Sequence, residues 1–342
     1  MRAPAISVVI PAYNAGRFIS EAIDSVRAQT ITQWECVIVD DGSTDDTPGR
    51  LAAYRDPRIH SIRQENSGEC AARTKGVSLT RAPKIVFLDA DDRLYPDTLA
   101  RYVRFLDDHS AVGVAYGERT LINEEGHRLG FGCRALLNKR PQGDVLESIL
   151  RRPFLSTPSQ ACLRREAVPP HEWVGDRGPM GDWLLLAGAA MTHKFAYSGR
   201  IPMVEYRLWR GGAMRTLGGS SQSIISIEDL NDVLHRLFSF PGLGHRFSAS
   251  KLAQLRRAAE ASCFAIMGQE LLRFHKPFAA RRYFNAAIRA GSRDSRDLMC
   301  WAATFSPVLL RLTRSFYGSI DPLPAPGSNG KEEDTSFTTL CK

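Results

Sequence analysis

The chain has 342 residues, 43% hydrophobic and 24% charged, with a formal net charge of +8 at pH 7. This length admits one large domain with a smaller addition, and this composition supports a packed core, which excludes a disordered or fibrous chain. The basic residues stand in no DNA- or RNA-binding motif, so acidic small molecules or an anionic membrane surface, and no nucleic acid, are the expected partners.

Seven cysteines lack paired spacing and read as buried reduced thiols, which points to a cytoplasmic setting. No signal peptide is expected, because Ile6–Ile10 is too short an apolar core and Pro11 ends it. No apolar run approaches the length of a membrane span.

Taken in chain order, Ile6–Ile10 is a continuous apolar run followed by Pro11-Ala-Tyr-Asn14. Phe18, Ile19, Ala22, Ile23 and Val26 then recur at helical spacing. A second run, Glu35–Val39, leads into Asp40-Asp-Gly-Ser-Thr-Asp-Asp-Thr47, where Ser43 or Thr44 is a candidate helix cap. Asp40 and Asp45 can serve the same purpose. A third unit places a strand at Arg58–Arg63 and a helix at Ser67–Leu79. Alternating strands and helices predict βαβ units and one parallel sheet.

The next run, Lys84-Ile-Val-Phe-Leu-Asp-Ala-Asp-Asp92, ends in three carboxylates. Strand side chains alternate faces, so Asp89 and Asp91 project the same way from the carboxyl end of the strand. Ligands of open α/β sheets bind at that edge. Two carboxylates on one side repel unless a cation sits between them, and hard oxygen ligands suit Mg²⁺ or Mn²⁺.

Further on, Asp182 opens an apolar helix through Ala190. A glycine-rich segment from Val204 carries Arg207, Trp209, Arg210 and Arg215, and Gly211, Gly212, Gly218 and Gly219 suit a mobile lid. Beyond Ser221 the texture is helical. Ile224, Ile227, Leu230, Leu234 and Leu237 form a stripe, and Leu271–Ala290 reads as a hairpin turning near His275-Lys-Pro277. Trp301, Phe305, Val308, Leu309, Leu312 and Phe316 share a face near Arg311 and Arg314, so residues 298–316 either pack on the domain or lie on a membrane.

The set Ser7–Asn14, Val39–Thr47, Asn66–Arg73 and Phe87–Asp92 resembles, in order and spacing, the family 2 glycosyltransferases with the GT-A fold. The strong resemblance covers about the first third of the chain, and a weaker one extends through Arg215. It implies an α/β architecture with a Rossmann-like, mostly parallel sheet flanked by helices and a helical C-terminal extension. Residues 1–220 would form the transferase domain, with 1–117 as the nucleotide-sugar half and 118–220 as the acceptor half and lid. Residues 221–318 would be helical and 319–342 a disordered tail.

The resemblance also implies inverting transfer from a nucleotide-diphosphate sugar, with UDP as the nucleotide, to a saccharide or lipid-linked acceptor. Such an enzyme builds cell-surface polysaccharide or glycolipid, either free in the cytoplasm or peripheral on the inner face of the membrane. Pro11, Ala12, Tyr13 and Asn14 would flank the nucleotide, with a packing role for Tyr13. Otherwise Pro11 only stops the strand and Tyr13 is a core aromatic. Asp41 would accept the uracil N–H, and Arg73 would reach the base or diphosphate unless it is a solvated helix residue. Asp91 would ligate Mg²⁺ or Mn²⁺, with Asp89 contacting the ribose or supporting the metal and Ala90 beside it, and Asp92 would cap the helix after Pro96 or support the ligand.

Asp182 would be the general base or else an N-cap, and it follows Gly181 where relatives carry an acid. Trp209 replaces a family histidine, so it would stack on a sugar while Arg207, Arg210 or Arg215 reaches phosphate. Two rivals remain: a metal-dependent phosphatase built on Asp-x-Asp, and a non-catalytic nucleotide-sugar-binding module.

Overall fold

A computed structural model describes residues 3–129, 140–175, 180–209, 227–273, 276–293 and 295–306. Three βα units open the chain. β1 (Ile6–Ala12) and β2 (Trp34–Asp40) are buried at every position, as strands covered on both faces must be. Between them, α1 (Ile19–Arg27) buries Ile19, Ala22, Ile23 and Val26 along one face. Then come α2 (Thr47–Ala52), β3 (Ile59–Arg63), α3 (Glu69–Leu79) and β4 (Lys84–Phe87). β1 pairs in parallel with β2 and β4, and β2 with β3.

Pro11 does not end its strand. β1 pairs with β2 through Pro11 opposite Val39 and Ala12 opposite Asp40. Pairing with β4 stops at Val9 opposite Phe87, so the missing Pro11 N–H takes no bond from the ladder on that side.

The second half is built differently. It contains β5 (Arg93–Leu94), α4 (Thr98–Asp108), β6 (Val112–Ile122), α5 (Leu146–Arg151), β7 (Ala161–Arg164), α6 (His171–Val174), α7 (Gly181–Ala190) and β8 (Lys194–Arg207). The sheet order is β3-β2-β1-β4-β7-β6-β8-β5. β7 runs antiparallel to β4 and β6, β5 antiparallel to β8, and β6 parallel to β8. The expected mostly parallel sheet is thus met in four of seven pairings, and every antiparallel pairing involves a strand of the second half.

Alternate strand residues feed two cores. Val8, Ile10, Ile38, Val86 and Leu88 pack under α1 and α4. Val9, Phe87, Val114 and Leu163 pack on the other face with Trp183–Leu186 of α7. Helices α8 (Ile227–Phe238) and α10 (Ala249–Arg273), separated by the short α9 (Leu243–Arg246), join this second core through Leu230, Leu234, Leu237, Leu255 and Cys263. α10 and α11 (Pro277–Arg289) form the expected hairpin, followed by α12 (Ser295–Ala303).

Cys36, Cys70, Cys162 and Cys263 are buried free thiols, as expected, and Cys300 is buried too. Among the described residues no helix is long and apolar enough to cross a membrane. Ile224 and the tail from residue 307 lie outside the described residues.

Candidate active site

The turn after β4 gathers the acidic run. The Asp92 amide donates to the Asp89 carbonyl at 3.0 Å. Asp89 Oδ1 accepts from Arg73 Nη2 at 2.9 Å, and its Oδ2 accepts from the Thr157 hydroxyl at 2.8 Å. The Asp89 amide donates to Ser159 Oγ at 3.0 Å. Thr157 and Ser159 belong to a 3-10 turn at Pro158–Gln160, ahead of β7. Ala90 is half-buried within the acidic turn. Asp91 Oδ2 accepts from Trp209 Nε1 at 2.7 Å. Asp92 is fully buried and its Oδ1 accepts from the Arg207 amide at 3.0 Å, so it anchors the end of β8 and does not cap α4.

α7 brings a fourth carboxylate. Its N-cap is Met180, in the left-handed region at φ 59°, so Asp182 lies inside the first turn and is not the cap. Asp182 Oδ1 accepts from the Trp183 amide at 2.9 Å. Gly181 accounts for how closely α7 approaches α3, since a Cβ there would lie 2.2 Å from Cys70 Sγ. Burial raises the Asp182 pKa; Arg73 offsets part of that rise and the Asp89 charge adds to it.

Glu69, at the start of α3, is a fifth carboxylate and was missed in the sequence. Burial pushes it up to about 7, with Arg73 lowering it and Asp89, Asp182 and Asp91 raising it. Its side chain is 55% exposed, so this carboxylate lines a cleft wall that solvent reaches, and crowding by like charge weighs heavily in the rise. Asp91 is pushed up to about 6 by burial and then by Asp89, and Asp92 lies well above its usual range for the same reasons.

Arg73 stands among these acids with its side chain only 6% exposed, which excludes the solvated reading. Its Nη2 serves Glu69 and Asp89, while buried Nε and Nη1 have no acceptor among the described residues. Buried donors left unpaired are costly, so these two nitrogens call for ligand oxygens or ring acceptors.

The residues fit a divalent cation. Five acids stand against few cations; burial raises the pKa of Asp91, Asp92 and Asp182, and the Asp89 charge adds to each rise. No group of three His, Cys, Asp or Glu among the described residues holds a metal by itself. Asp91 with Asp89 would supply the protein share of a hard-ion shell whose remaining ligands are phosphate and water oxygens.

The tip of β1 forms the adjoining rim. Pro11 and Ala12 are buried, and the Ala12 carbonyl accepts from the Asp41 amide at 2.8 Å. Tyr13 is 53% exposed, which excludes the alternative that it is a core aromatic. Asn14 has φ 49°; its Oδ1 accepts from the Thr44 amide at 2.8 Å and its amide donates to Ser43 Oγ at 2.9 Å. Ser43 and Thr44 thus hold the β1 tip and do not cap α2. The N-cap of α2 is Asp46, which makes no side-chain capping bond; Asp45, one residue earlier, accepts from the Thr47 amide at 3.0 Å.

Asp41 is buried and already accepts from Gln64 Nε2 (2.8 Å), the Ser67 amide (2.9 Å) and the Gly68 amide (2.8 Å). It therefore builds the turn into α3, and a base N–H would be its fourth donor.

Arg207 corrects another expectation. Its side chain is 0% exposed, so it does not reach for phosphate. Its guanidinium donates to Glu21 Oε2 at 2.6 Å and to the carbonyls of Asp91 (2.9 Å) and Glu124 (2.7 Å). Trp209, bound to Asp91, also packs edge-on against Phe18 with ring centroids 4.9 Å apart. Arg210, Arg215 and the expected lid glycines lie outside the described residues.

Residues 7–168 match the family described as Glycosyl transferase family 2. A Bacillus subtilis protein named as a teichuronic acid biosynthesis glycosyltransferase is 39% identical over 210 residues, covering 60% of this chain and 79% of its own. Escherichia coli chondroitin synthase is 36% identical over 133 residues, 38% of this chain and 19% of that enzyme. The solved structure of S. aureus TarS is 16% identical with a TM-score of 0.54, over 91% of this chain and 54% of its own. At that identity the likeness speaks for the fold alone.

Proposed function

The chain belongs to glycosyl transferase family 2, and on that footing we propose that it moves a sugar with inversion from a UDP-sugar donor to a saccharide or lipid-linked acceptor. The metal-dependent phosphatase reading is set aside by the family. One observation carries the proposal: Asp182 from α7 stands near Asp89 and Arg73, and Arg73 has two buried nitrogens without a protein acceptor.

In this reading Arg73 donates Nε and Nη1 to the base or diphosphate, and exposed Tyr13 offers its ring beside the β1 tip. Asp91, with Asp89 alongside, would hold Mg²⁺ or Mn²⁺. When bound, such a cation offsets charge on a departing nucleotide diphosphate. Trp209 fixes one oxygen of Asp91 through its indole N–H. Asp182 takes the proton from the acceptor hydroxyl as that oxygen bonds to the anomeric carbon on the face opposite the leaving diphosphate. Its raised pKa makes it a better base than an ordinary surface carboxylate.

Calorimetry with UDP tests the donor and metal assignment together. Binding is expected to require Mn²⁺ or Mg²⁺ and to be lost in Asp91→Asn. Unchanged metal-dependent affinity in that variant would remove Asp91 from the metal site. Donor binding without UDP release in the presence of saccharide or lipid-linked acceptors would identify a non-catalytic binding module.

A further inference from the structure

The last helices of the described chain are strongly basic. Residues 276–316 contain eight Lys or Arg and two Asp, in a chain whose total is +8. α11 has no acidic residue. Asp297 of α12 is buried and accepts hydrogen bonds from Gln269 Nε2 and Ser292 Oγ. Arg282 and Arg289 are exposed. Among the described residues neither they nor Arg281 joins an ion pair.

Apolar groups stand out from the same face. The inner side of α12, Asp297, Cys300 and Ala303, packs inward, whereas Leu298 is 40%, Met299 50% and Phe305 55% exposed. Phe278, in the first turn of α11, is 78% exposed. The Arg281 guanidinium lies 5.4 Å from the Phe278 ring and 3.8 Å from the Phe305 ring. Trp301 meets Phe305 edge-on at 5.1 Å. Residues 298–306 thus pack along one side and stay apolar and exposed along the other.

We propose that the outer face of α11 and α12 docks on an anionic lipid bilayer, with Phe278, Trp301 and Phe305 entering the headgroup layer, Arg282 and Arg289 meeting lipid phosphates, and Arg281, which donates to the Thr304 hydroxyl at 3.1 Å, holding the Phe278 and Phe305 rings together. Rings gain by leaving water, while arginine stems follow them and keep their charge at the phosphate level. Anionic lipid supplies the negative charge that this face lacks. A second copy of the chain is a poorer occupant, because two such faces would bring like charges together. The inference does not depend on the sugar-transfer reading.

Flotation of the full-length protein with vesicles tests it. The protein is expected to float with vesicles containing phosphatidylglycerol, to stay behind with phosphatidylcholine alone, and to be released by high salt. Each arginine at an anionic surface is worth about fivefold in partition, so Arg282→Gln with Arg289→Gln should weaken it about 25-fold. Phe278→Ser, at an exposed position with little bearing on folding, should weaken it separately. Wild-type protein that ignores phosphatidylglycerol, or variants that partition like wild type, would overturn the proposal. So would a concentration-dependent dimer abolished by Phe278→Ser without vesicle binding, which would assign the face to a second copy.

Discussion

Residues 6–92 and residues 112–209 build one cleft by different means. The first segment is a run of parallel βα units, so its strand ends share one edge as a consequence of topology. The second reaches that edge by antiparallel returns, and its contributions are single contacts: Thr157 and Ser159 to Asp89, Arg207 to Asp91 and Asp92, Trp209 to Asp91, and Asp182 near Arg73. The comparison teaches a division of labour. Regular topology concentrates negative charge, and remote side chains hold the charged turn in one shape.

Removing Arg207 should break that division most severely. Arg207→Met leaves the carbonyls of Asp91 and Glu124 without their charged donor and frees Glu21, so folding stability should fall by about 3 kcal/mol. Chemical denaturation reads this directly, and a loss below about 1 kcal/mol would mean that the second half is held by packing alone.

A somewhat smaller effect is expected at Asp41, in the first half. Asp41→Ala strips three donors of their acceptor and should cost about 1–3 kcal/mol of stability as well as weakening UDP. Weaker UDP with unchanged stability would restore a purely ligand-facing role.

The smallest effect sharpens the comparison through charge. Asp91 at about 6 and Glu69 at about 7 are raised, so the folded protein binds more protons than the unfolded chain between the ordinary carboxylate range and those values. Their contribution to stability is therefore greatest in acid and is lost as pH rises toward about 7. Mn²⁺ should raise the Tm more at about pH 7.5 than at about pH 5, since protonated carboxylates bind it poorly. An equal or larger rise at the acidic pH would contradict the reading of the cleft as a cation site.

The same division explains what was legible in the sequence. The runs at Ile6–Ile10, Glu35–Val39 and Lys84–Leu88 declare their strands, and Asp89 and Asp91 fall at a strand end wherever the sheet lies. Asp182 was legible as a helix start, though its place beside Arg73 depends on Gly181 fitting against Cys70, a contact between residues far apart in sequence. Thr157 before Pro158 carries a capping signature, but nothing local says that its hydroxyl meets Asp89. Arg207 was misread because an arginine in a glycine-rich segment looks solvent-facing, and burial of its guanidinium is decided by carbonyls of the Asn123–Glu124 turn. Glu69 escaped notice because a first-turn glutamate is ordinarily a helix-dipole residue.

The central claim is that Asp182 completes the catalytic set from the second half, and Asp182→Asn addresses it most directly. Asn keeps the side chain's size and its hydrogen bond from the Trp183 amide while removing the basic oxygen. Donor affinity, measured by calorimetry, should be retained, and turnover with a matched donor and acceptor should fall by roughly 10²–10⁴-fold, the share of general-base catalysis. Near-normal turnover in Asp182→Asn would contradict the account and leave Asp182 a structural residue of α7.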